Sequence, residues 1–215
     1  MTTSTPDSPS GRRFDEDQLL DAARGVFHET GYSAAQISDI ARRAGTTKPT
    51  LYARLGNKEQ IYQRVVQREA DLFLGWIEEA YAQGGDLSLA RLARIGMEPL
   101  FAFAAKRTEG FELVFRGDQT GDRPASLRRH VINEVTRKLA ALIEQRQLAY
   151  GAPLAANAEA LAAACVGVAL QVCEHAIENG HDLDDAWHLA EHFVASAFRG
   201  LDFDSLARPR RTKHA

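Results

Sequence analysis

The chain has 215 residues, 45% of them hydrophobic and 26% charged, with a formal net charge of −3 and a pI of about 6.2. That is enough apolar material for an ordinary core in one large or two small domains. The N-terminal MTTSTPDSPSGRR lacks the apolar stretch of a secretory signal, and no apolar run is read as reaching the ~20 residues of a membrane span, so a cytoplasmic protein is expected.

Residues 1–13 are rich in Thr, Ser and Pro and are expected to form a disordered arm. Arg12 and Arg13 end it, either as part of a solvated tail or as groups that reach phosphates or a minor groove. The first helix is expected after the N-cap Asp15, with Gln18 completing a capping box and Phe14 facing Leu19 as a staple. Leu19, Leu20, Ala23, Val26 and Phe27 form its buried stripe, and Gly31 ends it. Ser33 as N-cap, Gln36 three residues on, and the Tyr32/Ile37 pair predict a second helix from residue 34. Its inward face carries Ile37, Ile40, Ala41 and Ala44, and Gly45 stops it.

Thr47 is the next cap, and Pro49 falls in the first turn of a helix over 48–55, where a missing N–H costs nothing. At about 100° per residue, Leu51 and Leu55 share the inner side while Pro49, Thr50, Tyr52 and Ala53 fan across the outer one. Asn57 caps a further helix with Gln60 as its partner. Two short helices joined by a Gly-containing turn are the arrangement that places the second in a DNA major groove while the first braces it. Double-stranded DNA is therefore the expected partner. The candidate contacts are Thr47, Lys48, Pro49, Thr50, Tyr52, Arg54 and Lys58, with Arg12 and Arg13. The acidic total does not exclude this, because distribution matters more than sum. Residues 12–64 hold nine Lys/Arg against seven Asp/Glu, and Arg42, Arg43, Lys48, Arg54 and Lys58 crowd the two short helices.

Beyond Asn57 the helical spacing continues without a break through Ile61, Val65, Leu72, Trp76 and Tyr81, to Gly84-Gly85. Further helices are expected over 89–106, in a short piece carrying Phe111, Leu113, Val114 and Phe115, and from 125 to Gly151 after the loop GDQTGDRP. No strand pattern occurs, so the fold class is all-α. Phe73, Trp76, Met97, Phe101, Phe111 and Phe115 come from three neighbouring elements and form either ordinary core or the lining of an apolar ligand pocket.

The segment over 155–177 is apolar on nearly every side, and the one over 184–201 is more apolar than one chain's bundle requires. Pairing with their copies in a second subunit resolves this, with Cys165, Gly167, Ala169, Val172, Trp187, Phe193 and Ala197 at a dimer interface. Cys165 and Cys173 read as small buried hydrophobes. His188 and His192 stand at i, i+4 with His175 one helix away, but two His without a third ligand read as a polar ridge. No phosphate loop, nucleophile elbow or CxxC is present, so no metal, cofactor or catalytic residue is expected. The rival class is a helical-bundle enzyme or small-molecule carrier with a helix-turn-helix-like start.

The segment over 18–65 carries Ala22-Ala23, Phe27, Gly31-Tyr32, Ile40-Ala41, Ala44-Gly45, Thr50-Leu51-Tyr52 and Lys58-Glu59. In order and spacing these resemble the DNA-binding domain of the TetR family of bacterial transcriptional regulators. Ala34-Ala35, Thr46, Arg54 and Leu55 depart from the family's usual residues, which touches base contacts rather than fold. The resemblance implies a DNA-binding domain over 14–60, a helical regulatory and dimerisation domain over 61–204 with a ligand cavity, and a basic tail over 205–215. It also implies repression at a palindromic operator by a homodimer, relieved by a small apolar or aromatic effector. The continuous helix from Lys58, which carries Phe73 and Trp76, is the expected coupling element.

Overall fold

Every element among the described residues is a helix. The computed structural model describes residues 15–82, 89–117, 122–149 and 158–200. Arg12 and Arg13 with their arm, Gly84-Gly85, Gly151 and the basic tail lie outside them. The chain divides into two units, Met1–Val65 and Val66–Ala215.

In the first unit, α1 (Glu16–Ala34) starts where the Asp15 carboxylate accepts from the Asp17 N–H at 3.4 Å. Leu19, Ala23 and Phe27 are almost fully buried on its inner side. Gly31 breaks the helix with φ +73°, a left-handed value that suits glycine. The chain then wraps one further turn, closed by the Ala35 N–H on the Gly31 carbonyl at 3.1 Å. That turn absorbs Ser33 and Ala34, so α2 (Ile37–Arg43) begins three residues later than the sequence suggests. Its N-cap is Gln36, which makes no side-chain cap bond. Ile37, Ile40 and Ala41 are buried as expected, and Gly45 ends the helix with φ +65°.

The helix α3 (Lys48–Leu55) matches its expected bounds, with the Thr47 hydroxyl accepting from the Thr50 N–H at 3.4 Å. It is followed by Gly56 at φ +87°. The next helix, α4 (Lys58–Ala82), opens on a complete capping box. The Asn57 N–H donates to Gln60 Oε1 at 2.8 Å, and the Gln60 N–H to Asn57 Oδ1 at 2.9 Å. Ile61, Tyr62 and Val65 close the core of this unit, with the Tyr62 ring edge-on to Phe27 at 5.0 Å.

The second unit contains the rest of α4, α5 (Leu89–Lys106), α6 (Thr108–Phe111), a π-helical turn (Glu112–Arg116), α7 (Asp122–Ala149), α8 (Ala158–Asn179) and α9 (Leu183–Gly200). The helix α8 packs on α5, α7 and α9, and α5 packs on α9. The wide π turn lets Leu113, Val114 and Phe115 follow Phe111 into the core. On the single chain Ala160, Ala163, Ala164 and Gly167 of α8 are exposed. One expectation fails on this helix, which is long and apolar enough to cross a membrane by length and composition, at 22 residues with hydropathy 1.7. Its few polar residues are spread too thinly to lower that value.

One charged side chain lies at the centre of the second unit. Glu69 of α4 is 0% exposed. It accepts from Arg107 Nε at 2.9 Å and Arg107 Nη2 at 2.8 Å, and from Arg68 Nη2 at 3.2 Å. Arg107 sits at the break between α5 and α6, with φ −135° and ψ 49°, so this fork fixes where α5 ends. Gly110 lies directly against the Glu69 carboxylate, where a Cβ would collide with it. Both arginines retain some solvent, with side chains 28% and 18% exposed. Glu69→Gln should therefore lower the unfolding free energy by about 2–3 kcal/mol, the lower end for breaking a buried pair. Urea denaturation measures it, and an unchanged midpoint would show that the fork contributes nothing.

Candidate functional site

The exposed surface of the first unit is organised by α3. Leu51 is 0% and Leu55 3% exposed, and these two anchors turn the opposite side of the helix outward. Thr47, Lys48, Pro49, Tyr52, Ala53 and Arg54 are exposed and Thr50 is half-buried, so the expected fan forms one face. Tyr52 keeps 49% of its surface in solvent, which is unusual for a large aromatic residue. The Thr47 and Thr50 hydroxyls lie 2.9 Å apart, which fixes the first turn.

The cations around α3 fall into two sets. Arg42 pairs with Asp39 at 3.0 Å, and Arg43 pairs with Glu29 with its guanidinium lying over Gly25. Lys58 is half-buried; its ammonium donates to the Ser33 carbonyl at 3.1 Å and sits 4.9 Å from the Tyr32 ring centroid. These three hold the turns around α2. Among the described residues, Lys48 and Arg54 have no ion-pair partner, so they carry the free positive charge of this face.

In the second unit the aromatic residues form one connected set of ring contacts: Phe73 with Phe103 and Phe115, each at 5.3 Å, Trp76 with Phe103 at 5.4 Å, and Phe111 with Phe115 at 5.0 Å. Only part of this set borders open space. Phe73 and Phe115 line an interior cavity of about 20 Å³, together with Gly96, Leu100, Val135 and Leu170. Trp76 borders a separate open groove of about 310 Å³ with Glu79, Glu98, Pro99 and Lys106. Met97, Phe101 and Phe111 are buried and line neither of these two spaces. Sequence reasoning missed Gly96 and the contributions of α7 and α8; a glycine inside an otherwise apolar helix was the available signal.

The residues expected at a subunit interface also divide. Cys165, Ala169 and Trp187 are buried within the single chain, and Ala169 lines the interior cavity. Val172 is half-buried, while Gly167 and Ala197 are exposed. Phe193 is 60% exposed and Leu189 64% exposed, one turn apart on α9. Both cysteines are free. Burial pushes the Cys165 thiol up to about 11; burial and the nearby Glu174 charge push Cys173 up to about 12. Both stay protonated at neutral pH and behave as small hydrophobes. His188 lies 3.7 Å from Asp184, and the His175 and His181 rings are 5.7 Å apart. Among the described residues no group of three or more His, Cys, Asp or Glu is placed to hold a metal ion.

Residues 19–65 match the family described as bacterial regulatory proteins, tetR family. The HTH-type transcriptional activator FasR of Mycolicibacterium smegmatis is 38% identical over 101 residues, 47% of this chain and 45% of that one. The HTH-type transcriptional repressor ComR of Escherichia coli is 40% identical over 60 residues, 28% of this chain and 29% of that one. The chain thus spans less than half the length of these curated relatives. The crystal structure of FadR from Bacillus subtilis in complex with stearoyl-CoA superposes with a TM-score of 0.70 at 18% identity, over 85% of this chain and 98% of the other. At that identity the likeness speaks for the fold.

Proposed function

Because the chain belongs to the TetR family of bacterial regulatory proteins, we propose that it is a cytoplasmic, ligand-responsive transcriptional regulator that binds a palindromic operator as a homodimer. The observation that carries this reading is the outer face of α3, where Lys48, Tyr52 and Arg54 stand exposed on a helix clamped from behind by Leu51 and Leu55. A short helix with free cations and an exposed aromatic ring on one side suits a major groove. The capped N-terminus of α3, with Thr47 and Lys48, suits a phosphate. Lys58 acts mainly by bracing the turn before α2.

A second copy supplies the partner for the apolar surface on α8 and α9. Leu189 and Phe193 are large and mostly exposed, and Gly167 and Ala164 on α8 are small enough to admit another helix. Repression is the proposed mode, and a small apolar effector is the proposed signal. The apolar lining of the cavity of about 20 Å³ suits such an effector once the cavity widens, and the structurally similar FadR was solved in complex with stearoyl-CoA. The coupling element is α4, one unbroken helix from Lys58 to Ala82 that carries Phe73 at the cavity. Coupling is reciprocal, so an effector that lowers operator affinity must bind the operator-bound protein more weakly by the same factor.

Two outcomes follow. On any DNA duplex, Lys48→Ala should reduce the slope of log affinity against log salt by about one, the share of one phosphate contact; an unchanged slope would remove α3 from the interface. In sedimentation at micromolar concentration the wild type should run as a dimer and Phe193→Asp as a monomer, since an unpaired charge resists burial. A wild type that is monomeric under these conditions would contradict the assembly.

A further inference from the structure

The interior cavity of the second unit has apolar walls, yet one polar group sits beside it. Tyr81 of α4 is 8% exposed and its hydroxyl has no hydrogen-bond partner. A Cβ on Gly96 would come within 3.3 Å of that hydroxyl and 3.9 Å of the Leu139 side chain. Gly96 in turn lines the cavity with Phe73, Ile77 and Phe115. Tyr81 itself does not line the cavity, and Gly96, which lines it and lies against the hydroxyl without a side chain, is the residue between the two. Burial raises the phenol's pKa well above its ordinary value, and the negative charge that Cys165 carries once ionised at high pH adds to this. The group remains a donor at any physiological pH.

Buried hydroxyls are nearly always partnered, so an orphan calls for a reason. No side chain that lines the cavity offers this hydroxyl a polar partner, so a partner that enters by way of the cavity comes on a molecule whose remainder suits apolar walls. It must also be uncharged. None of the residues that line the cavity is ionisable, and a carboxylate without a cation is strongly disfavoured in such surroundings.

We propose, building on the reading of this unit as the effector domain, that the effector is a neutral apolar carbonyl compound, such as a ketone, ester or lactone. Its oxygen accepts from Tyr81 Oη while its hydrocarbon body widens the cavity between Phe73, Phe115 and Leu170. Tyr81 is then the one polar specificity determinant of the site, and free fatty carboxylates are discriminated against.

The test uses the full chain, wild type and Tyr81→Phe, with 2-nonanone and sodium nonanoate as probes and calorimetric binding as the readout. The wild type should bind 2-nonanone at least tenfold more tightly than nonanoate. Tyr81→Phe should weaken the ketone by about tenfold and leave nonanoate unaffected, as loss of one buried hydrogen bond requires. Without probe, Tyr81→Phe should melt no lower than the wild type, because it removes an unpartnered group. Equal ketone affinity in the two proteins, a preference for nonanoate, absence of ketone binding, or a clearly lower melting point of the variant would each overturn the inference. Duplex DNA retention is measured on the same two proteins without probe. Retained DNA with failed ketone binding sinks this inference alone, and failed DNA retention sinks the regulator reading while the ketone result stands.

Discussion

The burial of Leu51 and Leu55 is the constraint on which the exposed face of α3 depends. A helix of eight residues does not persist in water by itself, because nucleation is costly and two turns return few hydrogen bonds. Leu51 and Leu55 supply the tertiary anchor, and the ends are fixed locally. The Thr47 cap holds the first turn, Gly56 permits a sharp exit, and the Asn57–Gln60 box starts the next helix at once. With the inner side and both ends determined, the directions of Lys48, Tyr52 and Arg54 follow. Arg43 and Lys58 complete the frame by tying the turns on either side of α2.

The second unit is held by a different balance. Its core is a large apolar interior in which one carboxylate, Glu69, is fully satisfied by two arginines at the α5–α6 break. One hydroxyl, Tyr81, is left without a partner beside the cavity. A satisfied buried charge fixes geometry, whereas an unpartnered donor leaves hydrogen-bonding capacity unused. The two groups lie on the same helix, α4, three turns apart. That helix therefore carries a paired charge and an unpartnered donor in series.

How much was legible in the sequence depended on whether the determinant was local. The α3 bounds and the Asn57–Gln60 box were readable because cap chemistry acts between a side chain and an amide a few residues away. Ser33 misled for the same reason. It has the composition of an N-cap, but the left-handed Gly31 wraps residues 31–34 into a turn first. In the second unit the aromatic cluster was visible, but a stripe of Phe and Met does not say which rings border a void. That is set by α7 and α8, distant in sequence. On α8 the near-uniform Ala, Val and Leu content removed the amphipathic signal that would have separated inward Cys165 and Ala169 from outward Gly167.

The central claim is that two copies of this chain present α3 to two successive faces of one duplex. Selection of bound sequences from a random duplex pool by the wild-type protein tests it most directly. The account predicts enrichment of an inverted repeat whose half-site centres lie about one helical turn apart or slightly more. Enrichment of a single unrepeated site, or none above the starting pool, would contradict it.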